Sequence, residues 1–137
     1  MRTALAIFVD TSALYALLDR DDARHPQAAE GFRRLLAARE RLVTHSYVVV
    51  ESVALVQRRL GLEAVRALCH GLLEVIHTVP VDEDLHQVAL TALLASGRRD
   101  ISLVDWTSFF FMQRRGLRKA LAFDEHFWEQ GFSPAEA

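Results

Sequence analysis

The sequence predicts an α/β domain in three layers, α/β/α, with a central parallel sheet of four to five strands. Short apolar runs alternate with longer segments of helical periodicity along the chain, which is typical of consecutive strand–helix–strand units. The first run, residues 4–9, is continuously apolar, as expected for a parallel strand buried on both faces. Asp10 and Asp124 each follow an apolar run, so polar groups are expected at the carboxyl edge of the sheet, where open α/β sheets bind ligands.

The first two helices and the second strand follow the opening strand. Apolar residues at helical spacing predict a helix over residues 11–19. A turn rich in aspartate follows, and Asp22 is expected to cap a second helix that runs to about Arg39. Residues 42–44 are predicted as a short strand.

The third helix carries an acid in an apolar setting. Ser46 is its predicted N-cap, and Gly61 is its predicted stop. The interior contains many β-branched residues, but the run is too long for a strand. Because it is apolar all round, we expect this helix to be buried, with Glu51 at its middle.

The second half of the chain continues the alternation. Asp82 is the predicted cap of the fifth helix, and Ser102 that of the sixth, with Asp105 at the third position after this cap. The predicted elements are a helix over 62–73, a strand over 75–79, a helix over 83–96, a helix from 103 to the stop at Gly116, a strand over 120–123 and a short edge strand over 131–134.

Composition narrows the class of protein. With 137 residues, 51% hydrophobic and 25% charged, we expect one globular domain over residues 1–137. A net charge of −2 lacks the basic balance of a typical nucleic-acid binder, although acids gathered around a metal lower the net charge without preventing such binding. A single cysteine, no signal-peptide pattern and no apolar run long enough for a membrane span predict a cytoplasmic protein without a membrane partner.

Four acids interrupt or end apolar segments: Asp10, Glu51, Asp105 and Asp124. Each alone has a structural explanation as a helix cap or an ion-pair partner. Together they favour one shared site, since burying separate unpaired carboxylates is unfavourable. Converging carboxylates repel one another unless a cation neutralises them, and oxygen ligands favour Mg²⁺, with Mn²⁺ possible. Such an ion suits phosphodiester hydrolysis.

Four motifs in order carry a resemblance to a known family. They are residues 8–14 (FVDTSAL), 47–51 (YVVVE), 100–105 (DISLVD) with 107–109 (TSF), and 122–127 (AFDEHF) with 131–132 (GF). The chain resembles PIN-domain ribonucleases, specifically the VapC-type toxins of bacterial type II toxin–antitoxin systems. The resemblance implies a PIN-like fold in which Asp10, Asp105, Asp124 and Glu51 hold Mg²⁺ and catalyse RNA hydrolysis by a metal-activated water.

The resemblance also implies supporting residues and partners. Thr11 matches a hydroxyl that holds a ligand carboxylate or the attacking water, and Thr107 and Ser12 are further supporting candidates. Asp100 matches an additional acid that either binds metal or caps its loop. The implied partners are an RNA substrate, a second copy in a homodimer whose sites line one groove, and a cognate antitoxin that inserts a segment near the acids.

Other chemistry-bearing residues have simpler expected roles. His45 and His126 flank the acidic segments, but a metal-based phosphodiester site does not need histidine, so we expect neutral packing or surface roles. Cys69 is expected to be a small buried hydrophobe. Trp106 and residues 109–111 follow helical spacing and are predicted core or dimer contacts.

Three alternatives stay open at this point. A phosphatase with an Asp-based site would have a second Asp at position 12, but this residue is Ser. A receiver domain would have a Lys after a strand late in the chain, but Lys119 precedes the predicted strand. These phosphoryl-transfer domains therefore fit less well. A PIN ribonuclease of RNA maturation, or a non-catalytic PIN module that binds RNA or protein, would share the fold.

Overall fold

The fold is built on a five-stranded parallel sheet flanked by helices, and the computed structural model describes residues 5–135. The strands are β1 (Ile7–Val9), β2 (Leu42–His45), β3 (His77–Val79), β4 (Lys119–Leu121) and β5 (Ser133–Pro134), in the spatial order β3-β2-β1-β4-β5. Every adjacent pair is parallel. The predicted fold class and the short edge strand are confirmed; the predicted start of the first strand at Ala4 lies outside the described residues.

Seven α-helices are assigned within the described residues. They are α1 (Thr11–Leu18), α2 (His25–Ala37), α3 (Ser46–Leu60), α4 (Leu62–His70), α5 (Glu83–Ser96), α6 (Leu103–Arg114) and α7 (His126–Glu129), with a 3₁₀ helix at Leu72–Val75. Helices α1 to α4 pack with one another, and α5 packs along α6. Because parallel strands need crossover connections, these helices cover the sheet and bury its apolar strands.

The strand order creates a switch point beside β1. The chain passes from β1 to β2 and β3 on one side of the sheet, and then returns to β4 on the other side. Phe8 pairs in register with Val43 of β2 and with Ala120 of β4. Ligand sites of open α/β sheets form where neighbouring connections diverge in this way, so the residues following β1 and β4 lie at the expected place.

An aromatic core supports this part of the sheet. Phe8 is fully buried, and its ring centroid lies 5.7 Å from that of Phe111 and 5.9 Å from that of Phe127. Phe109 contacts Phe127 edge to face at 5.1 Å. These contacts join β1, α6 and α7, the elements that carry or adjoin the acidic residues. The prediction of core packing is thus confirmed for Phe109 and Phe111.

Two predicted caps are wrong. Helix α2 begins after Arg24, which makes no side-chain cap, whereas Asp22 accepts the Arg24 N–H at 2.8 Å in the preceding turn. Helix α3 is capped by His45, which accepts the Val48 N–H at 3.3 Å. Ser46 cannot serve as that cap, because its hydroxyl accepts the Val81 N–H at 2.9 Å from the loop after β3.

Helix α3 is also less buried than predicted. Val48, Ser52 and Val56 form its buried face, at a spacing of four residues. Val50 on the other side is 67% exposed. The sequence pattern alone does not reveal which side of α3 is exposed, because the helix carries apolar side chains on all of its sides. Its neighbours α1 and α4 cover only part of it.

The other helix boundaries hold where the signals are local. The predicted caps Asp82 and Ser102 both accept backbone N–H groups of their helices. Helix α4 ends at His70, earlier than predicted, because Gly71 leaves the helical conformation. A Cβ at this position would come within 2.5 Å of the Ala67 carbonyl oxygen, so the turn requires glycine.

Candidate active site

The four predicted acids line one cleft at the carboxyl edge of the sheet. The cleft has a volume of about 530 Å³, and its walls include Asp10, Glu51, Asp105 and Asp124. These residues come from the end of β1, the middle of α3, the first turn of α6 and the loop after β4. Residues that are far apart in sequence therefore form one acidic site.

Asp10 is both a helix cap and a site residue. Its Oδ2 accepts hydrogen bonds from the Ser12 N–H at 3.1 Å and from the Ser12 hydroxyl at 2.7 Å. The side chain is buried, and burial raises the pKa of this carboxyl to about 7 against the opposing effect of the Ser12 hydrogen bonds. The charges of Asp105 and Glu51 raise it further.

Ser12 joins two parts of the site, although the sequence suggested only a weak supporting role. Its hydroxyl donates to Asp10 and accepts the Phe123 N–H at 2.9 Å. The residue after Phe123 is Asp124, so this hydroxyl connects the segment following β1 with the segment following β4. In the sequence, the feature that could have indicated this role is the position of Ser12 two residues after Asp10.

Glu51 lies on the half-buried side of α3, facing the cleft. Burial raises its pKa, and the negative charges of Asp105 and Asp124 add to the increase. The Thr11 hydroxyl opposes this effect as a hydrogen-bond donor. Thr11 also lines the cleft and receives a hydrogen bond from the Ser52 hydroxyl at 3.3 Å, so its side chain is held beside Glu51.

Asp105 is held by a capping box at the start of α6. Its Oδ2 accepts the Ser102 N–H at 3.0 Å, while its own N–H donates to the Ser102 hydroxyl at 3.0 Å. Burial raises the pKa of Asp105, and these hydrogen bonds limit the increase. The capping box therefore fixes this carboxylate in the wall of the cleft.

Asp124 lies next to the imidazole ring of His126. The His126 Nδ1 is 2.8 Å from Asp124 Oδ1, and its Nε2 is 3.2 Å from Asp100 Oδ2. Burial favours the neutral ring, but the carboxylates of Asp124 and Asp100 outweigh this effect and raise the pKa of His126. The two acids thus bracket the imidazole, a contact that the expected neutral packing or surface role did not include.

Asp100 and Thr107 are not part of the cleft wall. Asp100 is exposed and accepts two hydrogen bonds from Arg98, whose guanidinium holds the pKa of this carboxyl well below its usual range. Within residues 5–135, its contact with the site is the one to His126. The hydroxyl of Thr107 is buried and donates to the Leu103 carbonyl at 2.8 Å within α6, so the structure does not bring it to the acids.

His45 has the packing role that was expected. It is fully buried, and its Nε2 lies 2.9 Å from the Ser108 hydroxyl, which donates to the Val104 carbonyl. Nε2 therefore carries the proton, and Nδ1 is free to accept the Val48 N–H. Burial lowers the pKa of His45 to about 4, so that the ring is neutral at pH 7.

One basic residue lines the acidic cleft. Arg58 extends from the last turn of α3 to the wall of the cleft, and in residues 5–135 it has neither a hydrogen bond nor an ion pair. In the sequence, Arg58 and Arg59 form a pair that is typical of a solvated helix end. The sequence therefore did not indicate that Arg58 lines the site. In the structure Arg58 lines the acidic cleft, whereas the Arg59 guanidinium lies over the ring of Tyr15.

The donors at this site fit a divalent cation. Ligand atoms of Asp105, Asp124 and His126 lie within 4.8 Å of one another, and Asp10 and Glu51 face the same cleft. Burial raises the pKa values of Asp10, Glu51 and Asp105, and the charges of neighbouring acids raise them further, so a bound cation would favour their ionised forms. Oxygen-rich donor sets of this kind suit Mg²⁺ or Mn²⁺.

The fold and the cleft define an α/β protein with a set of acids gathered at the switch point of a parallel sheet. The family profile described as the PIN domain matches residues 7–132, and the chain belongs to the PIN domain family. The predicted resemblance to VapC-type PIN proteins is confirmed by its similarity to Mycobacterium tuberculosis VapC20, named as a 23S rRNA-specific endonuclease. The two are 39% identical over 128 residues, 92% of this chain and 95% of VapC20.

Solved structures agree with this assignment. The crystal structure of M. tuberculosis VapC20, described as a sarcin–ricin loop cleaving toxin, matches with a TM-score of 0.79 and 37% identity over 93% of this chain and 96% of that one. PAE2754 from Pyrobaculum aerophilum matches with a TM-score of 0.64 and 20% identity, covering 98% and 92% of the two chains, and shares the fold. No helix in residues 5–135 is long and apolar enough to cross a membrane.

Proposed function

We propose that this protein, as one domain over residues 1–137, is a metal-dependent endoribonuclease and the toxin of a toxin–antitoxin pair. The observation that carries the proposal is the meeting of Asp10, Glu51, Asp105 and Asp124 in one cleft. Burial, together with the charges of neighbouring acids, raises the pKa values of Asp10, Glu51 and Asp105. Grouping four acids in one cleft is unfavourable for the fold by itself, and a catalytic role for all four acids accounts for it.

Mg²⁺ would be held by these four acids, with Mn²⁺ as the alternative. When bound, such an ion polarises a phosphoryl oxygen and lowers the pKa of its water. The chain's own residues orient these groups: Ser12 holds Asp10, Thr11 contacts Glu51, and the Ser102 cap holds Asp105. Preorganised carboxylates need little rearrangement during the reaction, which favours catalysis.

Arg58 would bind the RNA backbone at this cleft. The residue lines the cleft and has no acidic partner among the described residues. Arg suits phosphate because its planar fork offers several N–H donors. In this role, the cation draws the phosphodiester towards the acids and offsets part of the repulsion between the substrate and the carboxylates.

His126 would orient Asp124. The ring lies between Asp124 and Asp100, and Asp100 is in turn fixed by Arg98. A chain of hydrogen bonds and ion pairs of this kind restricts the rotation of a ligand carboxylate. In this proposal, Asp100 supports the site through His126 instead of binding the metal directly.

The proposed substrate and partners follow from the relative. VapC20 is named for 23S rRNA and its structure for the sarcin–ricin loop. We extend this substrate class to the present chain, together with a cytoplasmic location and a cognate antitoxin protein. Exposed apolar residues on α3, α4 and α5, namely Val50, Leu62 and Leu94, are consistent with a homodimer, which size-exclusion chromatography with light scattering tests directly.

The first experiment is cleavage of 23S rRNA by the purified chain with Mg²⁺, with EDTA and with Asp10→Asn. The expected result is metal-dependent cutting that the variant loses by at least about a hundredfold. Asp82→Asn, the same change at the exposed cap of α5, is the matched control and should cut like the parent. If the folded parent binds RNA but cuts none with Mg²⁺ or Mn²⁺, it is a non-catalytic binding module.

A further inference from the structure

A second groove opens beside the acidic cleft. It has a volume of about 770 Å³ and is lined by Arg24, Gln27, Phe123, Asp124, Glu125 and Trp128, among others. Asp124 lines both the groove and the acidic cleft, so the two are joined at this residue. A single-stranded RNA bound in the cleft can therefore continue past Asp124 into the groove.

Arg24 is fixed at the wall of the groove. Its Nη1 donates to the Phe123 carbonyl, and its guanidinium carbon lies 5.3 Å from the centre of the Phe123 ring. In residues 5–135 it has no carboxylate partner. Because a carbonyl and an aromatic ring hold the guanidinium without neutralising it, its charge is available to an anion next to Asp124.

The start of α2 adds positive potential at the same wall. Arg24 is the N-cap residue of this 13-residue helix and makes no side-chain cap, and Gln27 of its first turn also lines the groove. The N-terminal end of a helix attracts anions. The lining of the groove also includes the aromatic side chain of the half-buried Trp128 and the negative charge of the exposed Glu125.

We propose that this groove is a nucleotide subsite that holds the RNA adjoining the scissile phosphate. Arg24 binds the phosphate of that nucleotide, and Trp128 contacts its base. The inference rests on the proposed function, since a polynucleotide that reacts in the acidic cleft must extend beyond it. Arginine with an aromatic wall is a combination that binds single-stranded nucleic acid without reading its sequence. Glu125 opposes binding and directs the backbone towards Arg24.

The test measures RNA binding and RNA cutting separately. Binding of a labelled sarcin–ricin loop RNA is followed by fluorescence anisotropy across a salt series, in an Asp10→Asn background with Mg²⁺. Arg24→Gln and Glu125→Gln are compared with the control variant Arg41→Gln. Arg41 is exposed and has no acidic partner in the described chain, and it precedes β2, at the end of the sheet opposite the carboxyl edge. Arg24→Lys retains the charge, whereas Arg24→Gln retains an N–H donor for the Phe123 carbonyl.

We expect Arg24→Gln to weaken binding about tenfold and to reduce the slope of log K against log salt by about 0.7, the value for one phosphate contact on a single strand. Arg24→Lys should keep the parental slope, Glu125→Gln should strengthen binding, and Arg41→Gln should change it by less than about twofold. The proposal is overturned if Arg24→Gln matches Arg41→Gln, or if it loses affinity at the parental slope through an indirect effect on Phe123.

Cutting of the same RNA by the Asp10-containing proteins separates the two proposals. If the parent cuts and Arg24→Gln cuts with the same KM, the subsite fails while the nuclease stands. If the parent binds RNA but does not cut it, and Arg24→Gln still lowers affinity and slope, the nuclease proposal fails while the groove stands as an RNA-binding site. A parent that binds no RNA overturns both.

Discussion

The buried carboxyl of Asp10 should make the metal-free protein less stable at neutral pH, so Asp10→Asn should stabilise the fold while removing activity. An acid whose pKa is raised by folding keeps a proton that the unfolded chain releases. The destabilisation caused by Asp10 is therefore absent below the ordinary pKa of 3.8. It grows as the pH rises and is complete above about 7. The direction is a loss of stability with increasing pH.

The size of this effect follows from the pKa interval. From 3.8 to about 7, at about 1.4 kcal/mol for each pH unit, it amounts to about 4 kcal/mol at pH 8. Between pH 5 and pH 8 it grows by about 3 kcal/mol. Asparagine is a good N-cap, and its oxygen can still accept both hydrogen bonds from Ser12, so little else should change.

The assay is urea unfolding of the parent and Asp10→Asn in EDTA at pH 5 and pH 8. The advantage of the variant should increase by about 3 kcal/mol between the two pH values, and titration of His45 cancels in this comparison. Asp82→Asn at an exposed cap should show no such change. With Mg²⁺ at a hundred times its Kd, the parent should gain about 2.7 kcal/mol, whereas the variant should gain much less. An advantage that is the same at both pH values, or a variant less stable than the parent at pH 8, would refute the reasoning.

Three further predictions concern neighbouring residues. Arg58→Gln should raise KM for RNA about tenfold with kcat nearly unchanged, because the proposed phosphate contact would be made equally in the ground state and the transition state. Arg59→Gln is the control, since Arg59 lies over Tyr15, and equal KM values for the two variants would contradict the proposed role of Arg58. Thr11→Val should weaken Mg²⁺ binding about tenfold in calorimetry, while Thr107→Val should leave it unchanged; similar losses in both would show that the Thr11 hydroxyl has no specific role. His45 should lower stability on acidification from pH 6.5 towards about 4, by up to about 3 kcal/mol, because the folded ring stays neutral while the unfolded ring takes up a proton. His45→Asn, which can still cap α3, should remove this acid dependence in urea unfolding, and an unchanged dependence would assign it to other groups.

Sequence reasoning succeeded where the determining contacts are local. The capping box joins Ser102 to Asp105 over three residues, and the bounds of α5 follow from Asp82 at one end and Gly97, which has φ +68°, at the other. Alternating apolar runs predicted the parallel sheet, since each crossover buries a strand. The four acids were also found, because a carboxylate in an apolar segment requires a polar environment wherever the segment lies.

Distant contacts decided what the sequence left open. Ser46 is the better N-cap by residue type, yet its hydroxyl is occupied by Val81, 35 residues away, and His45 takes the cap. His126 was expected to be a packing or surface residue, but the fold places its ring against Asp100, 26 residues earlier. Neither outcome follows from local propensity, because each depends on which loops meet at the edge of the sheet.

The chain by itself therefore determined the fold class and the identity of the acidic residues, through periodicity, capping signals and the unfavourable burial of lone carboxylates. Only the tertiary structure decided which polar groups surround those acids. Arg24 contacts the Phe123 carbonyl across 99 residues, and Ser12 bonds to the same residue across 111. Such pairings depend on the order of the strands in the sheet, which brings the ends of β1 and β4 together and cannot be read from either segment alone.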